Sequence, residues 1–148
     1  MAPPSPGTLA GQVNEARITT GICETTAGIP FGVACSQGSS SDEGAIIGGT
    51  LAGFRGVSVR DVTLRGDSGD LDQYRPPNSM SIMESGDIWV EPAGAVDAHA
   101  AVYFNATTGL LDDASGGNLG PVPGAYWKTS CGVGGRAIVA IPQGGKAA

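Results

Sequence analysis

The chain has 148 residues, a length that suits one domain with a real core and leaves little room for two. Only 15% of residues are charged, 41% are hydrophobic and 25 are glycine, a composition that disfavours long helices and wholesale disorder and fits short strands joined by turns. A formal net charge of −6, with basic residues scattered from Arg17 to Lys146, excludes a direct grip on nucleic acid, which needs clustered Lys and Arg.

Residues 1–12 are expected to form an extended arm, because Pro3, Pro4 and Pro6 remove backbone donors and favour polyproline-like geometry. The arm is either a frayed end or a tether that orders on a partner. Neither a positive start nor an apolar h-region marks it as a signal peptide, so a cytosol-like compartment is expected, and no apolar run reaches membrane-spanning length. Residues 13–148 are read as one β-rich domain. Within it "QVNEARITT" alternates loosely, and "IPFGVACS" carries Phe31, Val33 and Cys35 on one face. "GAIIGG" is short and bounded by glycine. "FRGVSVRDVTL" sets Val57, Val59 and Asp61 opposite Ser58, Arg60 and Val62. "SMSIMESG" and "GDIWVEPAG" are predicted to form a hairpin around Glu84 to Asp87, because "ESGD" is turn chemistry. In its second arm Ile88 and Val90 share one face, and Trp89 and Glu91 the other. "AAVYFNATTGLLDD" reads as strand, turn, strand. "GAYWKTSCGVGGRAIVAIP" reads as a hairpin around Gly132 to Gly135, with Ala137, Val139 and Ile141 able to face the core. "AVDAHAAVYF" is the best helix candidate, but Val102, Tyr103 and Phe104 pull it toward strand. The pattern predicts an all-β fold, an antiparallel sandwich or barrel of short strands behind an extended N-terminal arm. The pentamer GTLAG occurs at Gly7 and again at Gly49, but its flanks differ, so no repeat is inferred.

Candidate chemistry is sparse. GDSGD, Gly66 to Asp70, is one residue from the GDSGG that surrounds a serine-protease nucleophile. A nucleophilic Ser68 needs a base and an orienting group, and the sole histidine, His99, follows it in the chain. Asp70 stands where the motif has glycine and would set a negative charge beside a developing oxyanion. The surrounding "RGDSGDLDQYRPPNS" is loop composition. Asp67, Asp70 and Asp72 lack the terminal Glu of a calcium loop. Arg65 to Asp67 and the sequon Asn105-Ala106-Thr107 have no extracellular context to use them. His99 with Asp97 reads as turn surface. Cys23, Cys35 and Cys131 fit neither a disulfide framework nor a zinc pattern, and are read as free, mostly buried thiols, although a Cys23–Cys35 bridge is possible on spacing. No catalytic residues, cofactor or metal site are assigned, and a structural or binding role is expected.

The order of "TTAGIPFGVACSQG", "FRGVSVRDVT", "DQYRPPNSMSIMESGDIWVEPAGAVDAHAAVYFNATTG" and "VPGAYWKTSCGVGGRAIVAIP" resembles the structural cement, or capsid decoration, proteins of tailed-phage heads, from about Thr25 to Pro142. Where family members often show Gly-Asp before the "VYF" strand, this chain has Ala98-His99. The resemblance implies a non-enzymatic virion protein on the outer surface of the expanded head. Its implied partners are the major capsid protein and itself, as a homotrimer at local three-fold points, with no contact to nucleic acid or membrane. Pro3, Pro4, Pro6 and Leu9 of the arm are the first candidates for capsid or neighbour contact. Tyr74 and Arg75 are the second, as an exposed Tyr–Arg pair beside prolines. Trp89 and Trp127 are expected in the core, or one of them at a trimer seam. Two other readings remain: a carbohydrate- or surface-binding β-sandwich with an exposed tryptophan platform, and an enzyme built on Ser68.

Overall fold

The computed structural model describes residues 6–10, 16–60, 73–76 and 78–142, which contain eleven strands and no helix. The strands are β1 (Arg17–Cys23), β2 (Ile29–Pro30), β3 (Ala34–Gln37), β4 (Gly44–Ile47), β5 (Phe54–Ser58), β6 (Gln73–Tyr74), β7 (Ser79–Val90), β8 (Tyr103–Phe104), β9 (Leu111–Asp112), β10 (Tyr126–Trp127) and β11 (Ala137–Ile141). The fold is all-β, as the short alternating runs predict. Strands β1, β4, β3, β5 and β7 pair in that order, and β7 returns to β1, closing a small five-stranded barrel. Closure leaves no free edge within the ring itself, although the second half of β7 extends beyond it. One pairing departs from the expected antiparallel pattern: β1 runs parallel to β4, with Ile22 opposite Gly44 and Cys23 opposite Ala45.

The barrel is narrow, and its filling is small-residue chemistry. Cys23, Cys35, Ala45, Met80 and Ile82 pack inside with Ile29, Phe31 and Tyr74. A Cβ at Gly21 would stand 3.0 Å from Ile82, and one at Gly56 would overlap the Met83 carbonyl of the neighbouring strand. A larger cluster, including Phe54, Val57, Met83, Ile88, Val90, Phe104, Trp127 and Val139, packs outside the barrel wall. Ala34 belongs to this cluster and Cys35 to the barrel interior, so adjacent residues of β3 are buried on opposite faces.

Strand β7 joins the two regions and corrects the predicted hairpin around Glu84 to Asp87. Twelve residues run continuously from Ser79 to Val90. The first half pairs with β1 and β5, and the second half pairs antiparallel with β11, Ile88 opposite Val139. Gly86, at φ +127°, marks the change of partner. Met83 and Ile88 lie an odd number of positions apart yet both enter the larger cluster, and the register shifts between them: Arg17 stands opposite Ser85 and Ile18 opposite Met83, with Glu84 as the extra residue. The turn-like letters of "ESGD" encode this irregularity and not a reversal. The two other predicted hairpins form: β8 pairs with β9, and β10 with β11.

Candidate functional site

The described part of the arm does not reach away from the body. Pro6 to Ala10 lies along the second half of β7, on the edge opposite β11. The Gly7 N–H donates to the Trp89 carbonyl at 2.7 Å, Trp89 N–H to Thr8 at 2.9 Å, and Ala10 N–H to Asp87 at 2.9 Å. Leu9 bridges Ile88 and packs against the larger cluster. Leu9 is therefore partly buried against the core of its own chain. Gly7 adopts φ +86°, and a Cβ there would overlap Phe31 and the Arg60 backbone, so the close approach of arm to body requires glycine. Pro3 and Pro4 lie outside the described residues. Pro6 is half-buried and lines an apolar groove of about 290 Å³ together with Pro30, Phe31, Val33, Glu91, Thr108 and Leu110.

Tyr74 and Arg75 do not form an exposed pair. Tyr74 is 1% exposed; its ring meets Phe31 edge-on at 5.1 Å, and its hydroxyl donates to the Val59 carbonyl at 2.5 Å. The residue plugs the end of the barrel, and a side chain with no exposed surface cannot anchor a neighbour. Prolines around it suggest a surface loop, but the two-residue pairing of β6 with β2 draws Tyr74 inward opposite Ile29. Arg75 is exposed, and its carbonyl accepts from Asn78 N–H at 2.7 Å.

Ser68, with Asp67, Asp70 and Asp72, lies outside the described residues. His99 is exposed in a turn at φ +71°, its ring stacked near Tyr126 at 6.4 Å. Among the described residues no group of three His, Cys, Asp or Glu side chains converges as metal ligands would. The three cysteines are free thiols. Burial, and secondarily Cys23, pushes the Cys35 thiol up to about 12; burial also raises Cys23 and Cys131. A thiol held protonated is a poor nucleophile, so these are packing residues.

The tryptophans divide. Trp127 is fully buried, and its indole N–H donates to the Asp112 carbonyl at 3.2 Å. Trp89 is half-buried and faces outward, opposite Ile138 of β11. This outward face was legible in the alternation that separates Trp89 from Ile88 and Val90. Two further features carry no sequence signature. The groove beside Pro6 is assembled from four separate segments. Glu24 Oε1 accepts the Ser39 and Ser40 N–H groups at 3.0 and 3.1 Å, which locks the turn before β4.

What this molecule offers is surface: a barrel with an outer layer, a docked N-terminal segment, an apolar groove and an outward sheet face. Comparison with solved structures finds the same architecture in a chain from the capsid of Myoviridae phage XM1. The TM-score is 0.75 at 15% identity, over 97% of this chain and 92% of that one, a likeness of fold. No curated protein matches its sequence. The profile of the family described as structural cement protein (E217 gp24/Pam3 gp6) matches residues 1–142. A match of that extent, on a chain built as a closed barrel with an outer layer, places the protein in the structural cement protein family of phages.

Proposed function

We propose that this protein is a non-enzymatic capsid cement: it binds the outer surface of the expanded phage head, as a homotrimer at local three-fold points, and clamps neighbouring major capsid subunits against the pressure of packed DNA. The observation that carries this reading is the family match over residues 1–142. Physical features agree with it. The protein's −6 charge suits a position outside the shell, away from the DNA. Many copies on a symmetric lattice gain affinity by avidity, so each contact can be modest. Binding only the assembled lattice raises the stability of that lattice by mass action. Arg75, exposed beside the barrel plug, and the proline segment preceding Pro6 are the proposed capsid contacts. The carbohydrate-platform reading is disfavoured, because Trp127 is buried and leaves Trp89 without a tryptophan partner at the surface.

Co-pelleting tests the proposal. Purified protein is mixed with expanded undecorated heads, and separately with unexpanded procapsids. Saturable pelleting with expanded heads alone is expected. Absence of pelleting with either form overturns the cement reading.

A further inference from the structure

The docked arm parts from β7 at Pro6. Gly7 N–H and the Thr8 carbonyl both bond Trp89, so two arm residues stand opposite one residue of β7, a bulge with its glycine at φ +86°. A bulge bends its strand, and Pro6 has no N–H to carry the ladder further. On the side away from β7 the Gly7 carbonyl accepts Arg60 N–H at 2.9 Å. Pro6 meets Gly32, where φ is +78° and a Cβ would fall 3.0 Å from Pro6 Cβ and 2.8 Å from Gly7 N. Glycine at this position lets the arm lie directly against the Phe31 segment. Pro6 is thereby set into the groove of about 290 Å³, in which Phe31 and Val33 are buried while Pro30, Glu91 and Thr108 are exposed. That volume is at the low end for ligand pockets and suits a few side chains, not a whole element of a partner.

We propose that Pro3, Pro4 and Ser5 of the same chain fill this groove, continuing the arm past Pro6. Pro6, already part of the lining, is where these residues join the body, and they carry no charge to desolvate in an apolar site. Consecutive prolines favour polyproline geometry at about 3.1 Å per residue, so three residues span about 9 Å. They have little conformational entropy to lose on docking. Proline rings laid on an aromatic-lined groove are a recurring mode of recognition, and Phe31 and Pro30 supply that surface. Residues after Pro142 start instead at the far end of the β7–β11 pair, since Ile141 stands opposite Gly86 while Glu91 lines the groove. A seated arm offers a neighbour a fixed outer side, which lowers the ordering cost of contact. That consequence for head binding rests on the cement reading; the seating does not.

The test uses the full chain without heads, its leucine and valine methyls isotope-labelled. Nuclear Overhauser cross-peaks are expected from the Pro3 and Pro4 rings to the Val33 and Leu110 methyls, with carbons in contact at about 4.5 Å or less. Their absence in folded protein overturns the proposal. Mixing methyl-labelled, proline-deuterated copies with unlabelled ones separates the occupants. Cross-peaks that arise only between copies put a neighbour's arm in the groove and overturn the same-chain assignment. Leu110→Asp should abolish the cross-peaks to Val33, and a folded variant that keeps them overturns the seat. If Leu110→Asp fails to fold, the wild-type cross-peaks decide. Absent cross-peaks with saturable pelleting on expanded heads would refute the seat and leave the cement reading standing. Cross-peaks in a protein that ignores heads would do the reverse.

Discussion

Tyr74→Phe separates a core residue from a capsid anchor by removing a single oxygen. The ring stays, so its edge-on contact with Phe31 and the barrel plug persist and no cavity opens. What is lost is the hydroxyl that donates to Val59 O at 2.5 Å and accepts from Ser81 N–H at 3.4 Å. Tyr74 is 1% exposed, so water cannot take the hydroxyl's place without opening the barrel end. Losing a buried hydrogen bond and stranding its acceptor costs about 1–2 kcal/mol. For a domain of this size that lowers Tm by about 3–6 °C. The assay pairs calorimetry with a pelleting isotherm on expanded heads, run well below both melting temperatures. The expected result is a lower Tm and an unchanged Kd. An unchanged Tm with Kd raised about tenfold, the signature of a lost interface anchor, would refute the burial argument. Arg75→Ala should behave oppositely if Arg75 touches the capsid: stability within about 0.5 kcal/mol, as for exposed substitutions, and weaker pelleting.

The remaining predictions concern the body. In native protein, Cys131, the half-buried thiol, should react with a disulfide reagent before Cys23 and Cys35, and all three should react in denaturant; equal native rates would contradict the burial. Cys35 holds its proton more tightly folded, at about 12, than at the ordinary 9.0. Its contribution to stability is therefore complete below pH 9 and drains away as pH climbs from 9 toward 12. Denaturant midpoints should fall across that window, and Cys35→Ala should flatten the fall. Glu24→Ala should cost about 1–3 kcal/mol by freeing the Ser39 and Ser40 N–H groups. A Cβ at Gly44 would overlap Glu24 Oε2, so Gly44→Ala should harm the wild type more than it harms Glu24→Ala. Additive losses in that cycle would show that the carboxylate does not occupy the cradle.

The parts of the fold that could be read in the sequence are those where one strand has one partner and one buried face. Ile88 and Val90 against Trp89, and Ala137, Val139 and Ile141 against Ile138, alternate as period two requires, and the structure keeps every assignment. The failures occur where a residue's partner is remote. Around Gly86 the local letters favour a turn, yet the chain continues because β1 and β5 claim the residues before it and β11 those after. Tyr74 sits among loop residues but is claimed by Ile29 and Phe31, more than forty positions earlier. Pro6 to Ala10 reads as a free extension because nothing nearby in the sequence reveals the open edge of β7. The family resemblance was legible because it rests on the order of packing segments, while the interaction surfaces are made by segments brought together only on folding.

The docking of the arm changes how a clamp built on this body would carry load. A free tether resists separation only after it is pulled taut. Here the segment from Pro6 to Ala10 is bonded to β7 through Gly7, Thr8 and Ala10, and β7 runs unbroken into the barrel wall. Tension applied at Pro6 is therefore borne by these main-chain bonds, with Leu9 packed, partly buried, against the larger cluster. Leu9→Ala tests this coupling. Removing a partly buried leucine costs about 2–3 kcal/mol if the site is well packed, and the loss should release the Gly7, Thr8 and Ala10 bonds as a unit. Hydrogen exchange at Gly7, Ala10 and Trp89 should then accelerate together, while amides of β3 and β5 stay protected. Pelleting by Leu9→Ala should weaken in proportion to that local opening. If the three amides exchange independently, the arm is a set of separate contacts, and its first residue cannot transmit force to the barrel.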